Sequence, residues 1–88
     1  MEIKGMEHFQ NVCRQKLVEW YQKNRRCANL SVKDTYVVWS CKTLQNYKLL
    51  ASTTLNGDHV YAEYTYNGDK KELYEDVYDK LTNTCYSA

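Results

Sequence analysis

Hydrophobic positions recur at two different periods along this chain. From residue 3 to residue 21 the step is three or four. Ile3, Met6, Phe9, Cys13, Leu17, Trp20 and Tyr21 then share one face of a helix, and Lys4, Glu7, Arg14, Lys16 and Lys23 fall largely elsewhere. The pattern predicts a helix over about 2–26, with Gly5 as an alternative start. Arg25 and Arg26 suit its carbonyl end. Between Tyr36 and Tyr66 the step falls to two, which predicts strands over about 35–43, 47–55 and 59–66. Leu44-Gln45-Asn46 separates the first two, and Asn56-Gly57-Asp58 is a tight-turn signal between the last two.

Strand parity divides this meander into two faces. Lys42, Lys48 and Glu63 are expected in water, so Val37, Trp39, Cys41, Leu49, Ala51, Val60, Ala62 and Tyr64 are expected inside. The outer face then carries Tyr36, Val38, Leu50 and Tyr61, which makes it wet and partly apolar. After Asn67-Gly68 the step lengthens again. Leu73, Tyr74, Val77, Tyr78 and Leu81 make one stripe, and Glu75, Asp76 and Asp79 make the solvated side. Asp69 with Glu72 three residues on resembles a capping box, so a second helix is predicted over about 70–83. The expected fold is a single α+β domain over 1–88. It is a two-layer α-β-β-β-α arrangement, a three-stranded antiparallel meander with both helices packed on one face.

Composition narrows the function classes. Eighty-eight residues suit one small core, and the nine tyrosines supply large side chains with polar tips. The net charge of +1 hides an uneven split: residues 1–48 carry nine Lys/Arg against four Asp/Glu, and residues 49–88 carry three against seven. The four cysteines show no C-x-x-C spacing and lie far from His8 and His59, so neither a structural metal nor a cofactor is expected. The first residues hold no apolar signal run, and no stretch approaches the ~18–20 apolar residues of a membrane span. The expectation is free thiols in a reducing cytoplasm, with no membrane partner. No catalytic constellation stands out. The glycines are scattered, and His8 and His59, the possible imidazole bases, read as exposed polar side chains, one early on the helix and one after a turn. The reading is therefore non-catalytic.

Two resemblances add a setting. The order helix–strand–strand–strand–helix, with Asp69-Lys70-Lys71-Glu72 opening the second helix, resembles the double-stranded-RNA-binding domain. That implies phosphate contacts from Lys70 and Lys71. The basic residues of the first helix, Arg14, Lys16, Lys23, Arg25 and Arg26, are the other nucleic-acid-binding candidates. The strings Y-V-V-W-S-C-K-T-L-Q-N-Y-K-L-L-A-S-T-T-L and Y-T-Y-N-G-D-K-K-E-L-Y are similar to a family of small uncharacterised proteins of phages and prophages of Gram-positive bacteria, over roughly 35–80. This implies an accessory protein of the bacterial host cytoplasm, a class whose members often bind and inhibit a host defence or replication protein. The leading expectation is thus binding of a host protein through the sheet face of Tyr36, Val38, Leu50 and Tyr61, with Lys42 and Lys48 at its rim. The alternatives are a nucleic-acid-binding module and closure of the same face in a homodimer.

Overall fold

The structure, a computed structural model, describes residues 1–25, 29–55 and 60–87. Arg26, Cys27, the turn signal Asn56-Gly57-Asp58 and His59 lie outside the described residues. The elements are α1 (Met6–Asn24), a 3₁₀ turn (Val32–Asp34), β1 (Thr35–Thr43), β2 (Asn46–Thr53), β3 (Val60–Asn67) and β4 (Glu72–Asp79). The strands form one antiparallel sheet in the order β1-β2-β3-β4. The α+β class therefore holds, but the expected three strands and two helices do not. Among the described residues there is one helix and there are four strands.

α1 begins right after Gly5, whose φ of 131° suits a residue without a Cβ. Its buried side is Phe9, Cys13, Leu17, Val18 and Tyr21, close to the predicted stripe. This side packs on one face of the sheet: Tyr47, Leu49 and Ala51 of β2 and Val60, Ala62, Tyr64 and Tyr66 of β3. Phe9 meets Tyr47 with ring centroids 5.1 Å apart. Burying each large apolar side chain here contributes about 1.5–3 kcal/mol. Arg14 fastens the helix to the sheet edge. Its Nε donates to Thr35 Oγ1 at 2.9 Å, and its Nη2 donates to Val32 O at 2.8 Å and Thr35 O at 3.2 Å.

The segment predicted as a second helix is β4, paired with β3 from Asn67↔Glu72 to Val60↔Asp79. The reason lies in its composition. Glu72–Asp79 satisfies a helical stripe and a two-residue alternation equally well, and Tyr and Val favour the strand. Pairing also gives the backbone groups along one edge of β3 a ladder of hydrogen bonds, which a helix could not supply. The supposed capping box is a hairpin turn instead. Asn67 Oδ1 accepts from the N–H groups of Asp69 (3.0 Å) and Lys70 (3.2 Å), and Lys71 takes φ 55°.

A second correction concerns β1. Val37 pairs with Ala51 but Trp39 pairs with Leu50, so Val38 is an extra residue, a β-bulge. The bulge reverses parity beyond it. Val37 faces the helix as expected. Trp39 and Cys41, expected in the core, face outward with Leu50 and Lys48. Ser40 takes the place beside Leu49 that an unbroken register would give to the indole, and Gln10 of α1 donates to its Oγ at 3.1 Å. A small side chain lets the helix lie against this strand.

Two hairpin turns lock together at one end of the sheet. Gln45 Nε2 donates to Asp69 Oδ1 at 2.6 Å, and Gly68 N–H donates to Asn46 Oδ1 at 3.0 Å. A Cβ on Gly68 would collide with the carbonyl oxygen of Gln45. Gly68→Ala is therefore expected to lower the unfolding free energy by about 1–3 kcal/mol in urea titrations, because backbone must shift to admit the methyl. Leu44, exposed and held at φ 55°, predicts the opposite sign. Leu44→Gly should raise stability by about 1 kcal/mol by removing left-handed strain.

Candidate binding face

The face of the sheet turned away from α1 has no element over it among the described residues. The bulge and the fourth strand together decide what it displays. β1 supplies Tyr36, Val38, Trp39 and Cys41, with Val38 52% and Trp39 44% exposed. β2 adds Lys48, Leu50 and Ser52, and β3 adds Tyr61, Glu63 and Thr65. β4 completes it with Tyr74, Asp76 and Tyr78. Tyr61 and Tyr78 stack across the β3–β4 ladder, centroids 5.2 Å apart and planes 19° apart. Such a pair contributes about 0.5–1.5 kcal/mol beyond its area. A depression of about 420 Å³ opens at one end, bordered by Tyr36, Val38, Leu50, Ser52, Tyr61 and Lys80.

The charges on this face are few and mostly negative. Lys48 Nζ lies 3.2 Å from Glu63 Oε1. Asp76 stands directly across from Glu63, so Lys48 relieves a like-charge neighbour contact. Glu72 accepts a hydrogen bond from Tyr74 Oη at 2.9 Å. That contact holds the Tyr74 hydroxyl proton and raises its pKa.

The predicted partner-binding residues Tyr36, Val38, Lys48, Leu50 and Tyr61 all come together on the open face. Lys42 does not. The bulge turns it to the helix side, opposite Tyr47, with its Nζ 5.6 Å from the ring centroid. Trp39, Tyr74 and Tyr78 are the members that sequence reasoning missed. An alternation of Tyr74 and Tyr78 with Leu73 and Val77 was the available signal for the last two. The nucleic-acid candidates are dispersed. Arg14 is spent on Thr35 and Val32, Lys16 pairs with Glu19 at 3.6 Å, and Arg25 pairs with Asp79 at 3.2 Å while lying over Trp20. Lys70 and Lys71 sit in the β3–β4 turn, at the opposite end of β4 from Arg25 and Asp79, roughly 20–25 Å of strand away. Neither is on a helix N-terminus.

Of the cysteines, Cys13 is buried and Cys41 and Cys85 are exposed, all three as free thiols. Burial, reinforced by the Glu75 charge, pushes the Cys13 thiol up to about 12. Tyr64 is also pushed up, first by burial and then by donating to Glu75 Oε2 at 2.6 Å. This corner of the core therefore opposes thiolate chemistry near neutrality. Among the described residues no group of three or more His, Cys, Asp or Glu is placed to hold a metal ion, and no helix is long and apolar enough to cross a membrane. His8, at the start of α1, accepts from the Lys4 N–H at 2.9 Å through Nδ1.

These features define a small α+β module with one covered and one open, aromatic sheet face. The chain belongs to a family of unknown function, DUF6275, whose family model matches residues 10–88. Neither a curated protein nor a solved structure matches the chain.

The thiol gives a pH test. The folded pKa of Cys13 stands above its ordinary value of 9.0, so the fold prefers the protonated form. That preference is fully present below about pH 9 and is lost as pH rises toward 12, because the unfolded chain releases the proton first. Stability should fall above pH 9, by up to about 4 kcal/mol if the whole shift is realised. Cys13→Ala should flatten the slope between pH 9 and 10 in chemical denaturation. An unchanged slope would contradict the assignment.

Proposed function

We propose that this protein is a small, non-catalytic accessory protein of a phage that binds a host bacterial protein through the open sheet face, as an inhibitor of a defence or replication factor. The supporting observation is the face itself: Tyr36, Val38, Trp39, Leu50, Tyr61 and Tyr78 form an uncovered, largely apolar surface on a rigid sheet. Contiguous exposed apolar patches mark interaction sites, and Tyr and Trp are the usual anchors of such interfaces. The phage setting and the host cytoplasm rest on the sequence resemblance over roughly 35–80.

Nucleic acid is the alternative ligand, since exposed tyrosines can stack on bases. The charge argues the other way. The open face presents Lys48 and Lys80 against Glu63, Glu72 and Asp76, and a phosphate backbone needs the reverse balance.

Affinity capture from host lysate, with and without nuclease, tests the reading. A protein partner should be retained in both arms. Tyr36→Ala with Tyr61→Ala should weaken capture by about tenfold or more, since each lost anchor costs on the order of 1–2 kcal/mol. Retention that disappears with nuclease, or that ignores the double substitution, would overturn it.

A further inference from the structure

β4 ends the strand order and pairs only with β3, over eight residues without a break in register. Its other side therefore presents N–H and C=O groups at every second residue, with no strand to meet them among the described residues. Edges of this kind are usually blunted by a bulge, a proline or charged side chains. The opposite edge has such devices: β1 carries the bulge at Val38 and Lys42 near its end. Between Glu72 and Asp79 β4 has neither a bulge nor a proline, and its charges are all of one sign: Glu72, Glu75, Asp76 and Asp79, with Lys71 and Lys80 only beyond its ends. Among the described residues only Asp79 of these has a basic partner, Arg25.

We propose that the free edge of β4 accepts an extended, lysine- or arginine-bearing segment of a partner polypeptide as a fifth strand. The proposal rests on the protein-binding reading above and names the chemistry of the partner. Charge selects the occupant. A second copy's β4 would lay four carboxylates along four carboxylates in either strand direction, so the edge rejects its own kind. A neutral strand would satisfy the backbone alone. A basic strand satisfies the backbone and places cations beside Glu72 and Asp76, with the rings of Tyr74 and Tyr78 on the same side of the sheet to receive them. Its outward side chains would also continue the open face, so edge and face make one surface.

The probes are three blocked nine-residue peptides: lysine alternating with valine or threonine, the same with glutamate for lysine, and the lysine peptide N-methylated throughout. Backbone amide shifts and hydrogen exchange of the whole protein are the readout. The lysine peptide should shift and protect β4 amides, at least tenfold more tightly than either control, and Glu72→Gln with Asp76→Asn should weaken it severalfold. Equal binding of the glutamate or N-methylated peptide would overturn the proposal, as would protection at β1 or self-association through β4. If a host partner is captured through Tyr36 and Tyr61 while β4 amides ignore the lysine peptide, only this inference fails. If the peptide binds β4 and no partner is captured, only the host-binding reading fails.

Discussion

A single helix cannot cover four strands, and most of this molecule follows from that mismatch. α1 is about 10–12 Å across with its side chains, whereas strands lie about 4.8 Å apart. It packs mainly on β1 and β2. The core reaches further only because β3 contributes long side chains, Tyr64 and Tyr66, beside Tyr47 and Tyr21. Four buried tyrosines thus extend a narrow lid sideways, and a chain this rich in tyrosine makes sense on those terms. β4 lies beyond the lid, and its helix-side residues Leu73 and Val77 are only partly buried. The far face has no cover among the described residues, and its aromatic side chains stand in solvent.

The helix and the three-strand centre were legible because their periodicity is unambiguous. Phe9, Cys13 and Leu17 have no alternative face to serve, and β2 and β3 alternate cleanly between buried and half-buried positions. The bulge was not legible. Tyr36-Val37-Val38-Trp39 is apolar throughout, so nothing in it says which residue is extra. The decision is tertiary: Ser40 rather than Trp39 lets α1 approach, with Gln10 bonded to the serine hydroxyl. One inserted residue moves Trp39 and Cys41 to the open face and Lys42 away from it.

β4 illustrates a different failure. Leu73, Val77 and Leu81 fit a helix stripe, and Asp69 with Glu72 fits a cap, so local rules pointed to a helix. The strand wins because β3 would otherwise keep a bare edge and because Asn67 organises a turn through its side chain. The candidate face was read in part for the same reason. Its β1–β3 members follow from parity ahead of the bulge, while Tyr74 and Tyr78 depend on an element whose type the periodicity leaves open.

Every strand in this sheet pairs only with its neighbours in sequence. The sheet can therefore assemble hairpin by hairpin through short loop closures, which favours fast formation. The helix is in the opposite position. It comes first in the chain, yet the strands it packs on, β1 and β2, and the tyrosines that reach it from β3 all follow it. Arg14 cannot make its bonds until Val32 and Thr35 are in place. The docking of α1 is thus the long-range part of an otherwise local topology, and its burial requires the sheet face to be in place.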